Sequence, residues 1–201
     1  MNTSFEERVK NEVIAGAKLY KSVFLDYDYL ICSRQFKNNA YYTISAYERN
    51  FLHLTGVQTK LKAVDFFDKC LNGSLQINDF YIKDKGTVRH KIQVLPGIDK
   101  FFSYGLLAQE DFNKNKVKCT LAGTDLRLTI GFIDKKECVP MTLLKGNELD
   151  HNSPIAKVEF VMCKRKTDDL FDKIIIGNNC TLKYYHGDVK HLLSNGYLTM
   201  Y

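Results

Sequence analysis

The stretch Leu126-Arg127-Leu128-Thr129-Ile130-Gly131-Phe132 alternates large apolar residues with polar or small ones. This period of two is typical of a strand with one buried face. A four-residue turn at 134–137 and a second strand pattern over Cys138–Leu144 follow it. The segment therefore predicts an antiparallel hairpin near the centre of the fold.

The register of this hairpin decides which polar side chains share a face. If Ile133 pairs with Cys138, Thr129 lies opposite Thr142, and Arg127 lies on the same face as both. A guanidinium on a rigid sheet can hold a phosphate through paired hydrogen bonds. The alternative is a solvated outer face without function, which antiparallel sheets commonly have.

Helices are predicted in the N-terminal half from capping residues and from apolar residues at helical spacing. Ser4 begins a capping box before a helix over 5–20. Thr59 and Thr87 are the expected N-caps of two further helices, and the pattern predicts that helical structure resumes over 98–107.

Four more segments are rich in β-branched and aromatic residues and predict strands. They are Tyr27–Ile31, Tyr41–Tyr47, Ala156–Cys163 and Lys173–Ile176. Together with the helices, they predict one domain of mixed α and β structure over 1–201.

The composition favours an ordinary globular protein, with 45% hydrophobic and 26% charged residues. The N-terminus lacks a signal-peptide pattern and no apolar run approaches the ~20 residues of a membrane span, so we expect a cytoplasmic protein with no membrane partner. The six cysteines are far apart without a zinc spacing, which predicts reduced thiols. No nucleotide, zinc-protease or paired-carboxylate motif is present, so we expect no metal and no cofactor.

The charge balance permits contact with phosphate. Lys and Arg number 29 against 23 Asp and Glu, and lysine-rich runs occur at 114–118 and 164–166. Since many metabolic enzymes have a similar charge, this feature alone is weak evidence for a nucleic-acid partner.

Two residues stand in unusual positions. His53 lies among apolar neighbours just before the turn at Gly56, and an imidazole at a loop edge is suited to proton transfer. Lys91 lies inside the apolar stripe of Val88 and Leu95 and could point a cation into a cleft. The alternatives are a core histidine bonded to backbone and a lysine whose stem covers the stripe while its amine reaches water.

Several segments of the sequence resemble the phage-associated branch of the barnase, EndoU, colicin E5/D and RelE-like nucleases. The resemblance lies in Asn50-Phe51-Leu52-His53-Leu54-Thr55-Gly56-Val57, a helix with Ala63, Phe66 and Phe67, a Leu-Asn-Gly-Ser-Leu stretch at 71–75, Lys91 in the next helix, and Val139-Pro140-Met141-Thr142-Leu143 on a late strand.

The resemblance implies an α+β fold in which N-terminal helices pack on an antiparallel β-sheet. The nuclease-like core would span 27–176, preceded by the helix over 5–20 and followed by an extension over 177–201. The implied activity is metal-independent cleavage of RNA through attack by the ribose 2′-hydroxyl. A toxin or effector of this kind, used in phage-related conflict, would have RNA and an immunity or antitoxin protein as partners.

The resemblance also implies roles for three residues. His53 would be the acid or base, Lys91 the phosphate cation and Thr142 a hydrogen-bonding hydroxyl. We add three substrate-binding candidates that are not part of the resemblance: Arg49, Arg127 and Thr129.

Two other classes of protein are alternatives to an enzyme. One is a non-catalytic, phage-encoded binding or inhibitor protein with a nuclease-like fold, because each catalytic signal is weak when taken alone. The other, a DNA-binding module, lacks a helix-turn-helix or zinc motif. Substitution of His53 separates the first from an enzyme, since a binding protein should keep its function.

Overall fold

The framework of the protein consists of two antiparallel sheets with helices packed against them, and the computed structural model describes residues 3–114, 117–133 and 137–198. The helices are α1 (Phe5–Tyr20), α2 (Phe51–Thr55), α3 (Ala63–Leu71), α4 (Lys85–Val94), α5 (Asn179–Leu182), α6 (His186–Val189) and α7 (Asn195–Leu198). The α+β fold, with N-terminal helices on an antiparallel sheet, is confirmed.

The strands form one sheet of five, one of four and one of two. They are β1 (Tyr27–Cys32), β2 (Tyr41–Ile44), β3 (Gln58–Thr59), β4 (Phe80–Tyr81), β5 (Leu107–Lys114), β6 (Val117–Thr124), β7 (Leu128–Ile133), β8 (Val139–Lys145), β9 (Ala156–Lys157), β10 (Phe160–Arg165) and β11 (Lys173–Ile176). The five-stranded sheet has the order β8-β7-β6-β5-β9, the four-stranded sheet has the order β11-β10-β1-β2, and β3 pairs with β4. Strand β8 is therefore an edge of the larger sheet.

Helix α1 has the bounds and the cap that its sequence predicts. The Ser4 hydroxyl accepts a hydrogen bond of 3.1 Å from the backbone N–H of Glu7. Val9, Val13 and Ala17 repeat at four-residue intervals and are buried in the main core. This core lies between the helices and the inner faces of both larger sheets.

The hairpin of β7 and β8 forms, and Leu128, Ile130 and Phe132 enter the core as the alternation predicts. The predicted register is wrong, because Thr129 pairs with Leu144 instead of Thr142. A bulge after Gly131 gives β8 one extra residue and changes the pairing along the hairpin. Most of the predicted turn, 134–136, lies outside the described residues.

Three helix predictions need correction. Asp84 caps α4 and Thr87 does not, because the Asp84 carboxylate accepts from the N–H of Gly86 at 2.8 Å and of Thr87 at 3.2 Å. Thr59 lies in β3, four residues before α3 begins. The helix expected over 98–107 ends in a 3₁₀ turn at Lys100, and β5 follows, so the helical prediction missed a strand.

The predicted strand Ala156–Cys163 is two strands in different sheets. The N–H of Val158 bonds to the Leu106 carbonyl beside the five-stranded sheet, whereas the N–H of Glu159 bonds to the Cys32 carbonyl in the four-stranded sheet. The chain therefore changes sheets between two consecutive residues, which a continuous apolar pattern cannot reveal.

Helices α5–α7 cover the outer face of the four-stranded sheet. Tyr185, Leu182 and Val189 pack there in an apolar cluster that includes Phe160. The Tyr185 hydroxyl also bonds to the Glu159 carboxylate, to which the Arg34 guanidinium donates at 2.7 Å. These contacts, that with Arg34 first, lower the pKa of Glu159 to about 2.

We predict that Gly131→Ala destabilises the protein by about 1–3 kcal/mol. A Cβ at this position would lie 2.6 Å from Cys119 Sγ and 2.9 Å from Thr142 Cγ2, so these side chains or the strands that carry them must shift. Urea denaturation measures the loss, with Gly187→Ala as the control because nothing lies within 4 Å of that site. Adding Cys119→Ala should restore part of the stability, and an unaffected Gly131→Ala variant would contradict this packing.

Candidate active site

The short helix α2 is held close to α4 at its C-terminal end. Gly56 follows α2 with a φ of +75°, a conformation that a residue with a Cβ adopts only under strain. A Cβ there would also lie 3.0 Å from Lys91 Cδ and 3.6 Å from Val88 Cα. Glycine at this position thus ends α2 and lets α4 pack against it.

Lys91 reaches from α4 to the end of α2. Its Nζ donates a hydrogen bond of 2.6 Å to the backbone carbonyl of His53. The last carbonyls of a helix have no partner within the helix, and a lysine ammonium both bonds them and complements the negative end of the helix. Burial lowers the pKa of Lys91 to about 8. The predicted pair is therefore adjacent, but the contact is to the His53 backbone.

The His53 side chain lines a cavity of about 540 Å³ between α2 and the edge strand β8. Arg49 and Asn50 line the helix side, and Val139 and Met141 line the strand side. Burial and, secondly, the positive charge of Lys91 lower the pKa of His53 from its usual 6.5. The lowered pKa favours the uncharged imidazole at neutral pH, and this form can accept a proton.

Arg49 supplies a positive charge to the same cavity. Among the described residues it forms no ion pair, and its guanidinium lies 4.6 Å from the centroid of the Tyr47 ring. The Lys166 ammonium lies 4.7 Å from the same ring. By contrast, Arg34 is paired with Glu159. Arg49 is thus available to an anionic ligand.

Two of the predicted site residues, Arg127 and Thr129, bond to other parts of the protein. Arg127 precedes β7, outside the strand pairing, and its Nε donates to the Asp125 carboxylate at 2.9 Å. The buried Thr129 hydroxyl donates to the Gly146 carbonyl at 2.8 Å and accepts from the Glu148 N–H at 3.0 Å. Neither side chain is disposed to bind a substrate at the His53 cavity.

Thr142 lies on the face of the five-stranded sheet that points away from the helices. It pairs with Gly131, and its methyl group and Cys119 Sγ both crowd the position that a Gly131 Cβ would occupy. Cys119 belongs to a small apolar cluster on that outer face, whereas Leu143, the next residue of β8, enters the main core. The expected meeting of four residues in one cleft is therefore wrong, and His53 and Lys91 are the two in contact.

Sequence reasoning missed Asn50, Tyr47 and Glu137, all of which line the cavity. The spacing of Asn50 and His53 offered a signal, because residues three apart share a helix face. No pattern indicated Tyr47 or Glu137, since they come near His53 only through the packing of α2 on the end of β8.

Much of the predicted lysine surface is already paired with acids. Lys164 and Lys166 approach the buried Asp28 carboxylate at 3.2 and 3.5 Å, and Lys114 pairs with Glu148. Lys116 lies outside the described residues. A second cavity of about 250 Å³ has a basic lining of His90, Lys91, Lys114 and Lys145.

Within 3–114, 117–133 and 137–198, no three His, Cys, Asp or Glu side chains converge in a way that could hold a metal ion. All six cysteines are free thiols, and Cys180 is the exposed one. None of the described helices has the length and apolar character to cross a membrane.

Comparison with protein families gives a match over most of the chain. The model of a family described as phage-Barnase-EndoU-ColicinE5/D-RelE like nuclease 4 matches residues 12–180. The match extends beyond the expected core of 27–176 into α1. No curated protein and no solved structure matches the chain.

We predict that NMR titration gives His53 a pKa below 6.5, and that Lys91→Met raises this pKa only part of the way back. The rise follows from losing a nearby positive charge, and it is partial because burial, the larger cause, stays. Lys118→Met, which removes an exposed charge from β6, should leave the pKa of His53 unchanged. An identical His53 pKa in the Lys91 variant and the wild type would contradict the proximity of the two charges.

We also predict a pH-dependent difference in stability between the wild type and Lys91→Met. Because the pKa of Lys91 falls from 10.5 to about 8 on folding, the unfolded chain binds the extra proton between these values. The free energy of unfolding of the wild type should therefore rise relative to the variant as pH increases from 8 to 10.5, by on the order of 1–3 kcal/mol. Urea denaturation across this range measures it, and a constant difference would show that the ammonium is solvated.

Proposed function

The chain belongs to the phage-Barnase-EndoU-ColicinE5/D-RelE like nuclease family, and we propose that it cleaves RNA without a metal ion at the cavity beside His53. The observation that supports this proposal best is that one cavity is lined both by His53, whose pKa is lowered, and by Arg49, whose guanidinium forms no ion pair among the described residues. A neutral imidazole can accept a proton, and a guanidinium can bind a phosphate through two hydrogen bonds.

In the proposed reaction His53 takes the proton of the ribose 2′-hydroxyl, and the 2′-oxygen attacks the adjacent phosphorus. The bond from phosphorus to the 5′-oxygen then breaks, and that oxygen takes a proton from solvent. The products are a 2′,3′-cyclic phosphate and a 5′-hydroxyl. Arg49 stabilises the negative charge that builds on the phosphoryl oxygens.

Lys91 has a positioning role in this proposal. Its bond to the His53 carbonyl fixes the end of α2, and its charge adds to burial, the larger cause, in lowering the pKa of the His53 imidazole. We do not assign Lys91 a direct contact with phosphate, because its Nζ already bonds to the His53 carbonyl and the residue lines the second, basic cavity. A role as a toxin or effector with an immunity partner belongs to the same proposal and rests on the family alone.

One observation favours the alternative of a non-catalytic binding protein with a nuclease-like fold. Thr142 and Arg127, both expected at the site, lie away from it. The two functions differ in the effect of His53, which an enzyme needs for turnover and a binding protein does not.

We predict that the purified protein cleaves RNA equally well with and without a chelator and leaves 2′,3′-cyclic phosphate ends. His53→Ala should slow cleavage by about 10²–10⁴-fold while keeping the melting temperature, because it removes general-base help. Arg49→Ala should weaken RNA binding, while Arg165→Ala, which removes an exposed guanidinium on β10, serves as the control.

The same assay includes a substrate with a single 2′-deoxy sugar at the cut site. We expect no cleavage there, since the attacking hydroxyl is absent. Cleavage of the deoxy site at the normal rate would exclude the mechanism, and unchanged turnover in His53→Ala would exclude His53 as the base.

A further inference from the structure

Asn50 presents a hydrogen-bond donor inside the His53 cavity. The residue is only 7% exposed, and its Oδ1 accepts a hydrogen bond of 3.0 Å from the backbone N–H of Tyr47. Since a backbone N–H requires an acceptor, this bond fixes the oxygen of the amide on the side of Tyr47. The Nδ2 group is therefore directed away from Tyr47.

The Nδ2 group has no acceptor among the described residues, and it is open to solvent although only 7% of the residue as a whole is exposed. Asn50 lines the same cavity as His53. A donor that opens into a cavity is hydrated in the free protein, and a ligand with an acceptor oxygen can take the place of that water. Because an amide NH₂ only donates, the missing partner is an acceptor such as a phosphate oxygen.

The position of Asn50 relative to His53 suits one particular oxygen. The two residues are three apart across the start of α2, a spacing at which Cβ atoms on a helix are about 5–6 Å apart. Arg49 comes from the preceding position and lines the same wall. A base that holds the 2′-hydroxyl would thus have a donor within reach of the adjacent phosphoryl oxygens.

We propose that Asn50 Nδ2 donates a hydrogen bond to a non-bridging oxygen of the scissile phosphodiester and stabilises the charge that grows there during attack. This role rests on the proposed RNA cleavage at His53. The Tyr47 N–H orients the amide in advance, so that the donor needs no rearrangement when the charge develops.

Two variants separate the donor from the rest of the side chain. Asn50→Asp keeps the shape and the acceptor for Tyr47 N–H but loses the donor, whereas Asn50→Ala loses both. We expect both to lower the rate of RNA cleavage by about 10²–10³-fold, with a smaller change in KM, because the bond strengthens in the transition state. Asn113→Asp places the same charge change on the exposed surface of β5 and should cleave like the wild type.

Comparison of the two variants tests whether Asn50→Asp acts only because its new carboxylate repels the phosphate. If the new carboxylate acts only by repelling phosphate, Asn50→Asp is slow while Asn50→Ala cleaves normally, and that result would overturn the donor role. Normal cleavage by both variants would overturn it as well.

A binding measurement keeps this inference distinct from the proposed cleavage. The Asn50 side-chain NH₂ signals are followed by ¹⁵N NMR while a non-cleavable 2′-deoxy dinucleotide is added, and we expect them to shift with saturation. Shifted signals in a protein that does not cleave RNA would support the Asn50 contact and reject the proposed function. Cleavage without any shift of these signals would reject the contact and leave the proposed function in place.

Discussion

The hydrogen bond from Lys91 Nζ to the His53 carbonyl fixes the short helix on which the candidate site depends. Helix α2 has only five residues, too few to be stable by itself in water. Gly56 ends it without strain and leaves room for α4, so that Lys91 can reach the free carbonyl. The helix is thereby held against the edge of β8, where Arg49, Asn50 and His53 line one cavity.

Several basic side chains elsewhere on the surface are paired with acids, whereas Arg49 at this cavity forms no ion pair among the described residues. Arg34 and Arg127 bond to Glu159 and Asp125, and Lys164 and Lys166 approach Asp28. The Arg49 guanidinium contacts the Tyr47 ring. Net charge therefore says little about where an anion binds, because a cation that already has an acid beside it offers less to a ligand.

The sequence predicted the helices and strands that depend on residues close together in the chain. The Ser4 cap, the four-residue repeat of α1 and the core residues of β7 all follow from the sequence. The register of β7 and β8 does not follow from the sequence, because it depends on the bulge after Gly131. At that point side chains of the two neighbouring strands, Cys119 and Thr142, crowd Gly131, and no pattern near Gly131 in the sequence indicates these contacts. The break between β9 and β10 also depends on distant parts of the chain, since the neighbouring N–H groups of Val158 and Glu159 bond to different sheets.

The candidate site was also predictable only where its signals are local. His53 and Lys91 were identified from their unusual positions, but the contact of Lys91 with backbone depends on the angle between α2 and α4. We propose that a phosphodiester binds between α2 and the edge of β8. The most direct measurement is a crystal structure with a 2′-deoxy oligonucleotide, in which we expect a phosphate within hydrogen-bond distance of Arg49 and beside the His53 imidazole. A phosphate bound instead in the basic cavity at Lys114 and Lys145, with the His53 cavity unfilled, would contradict that claim.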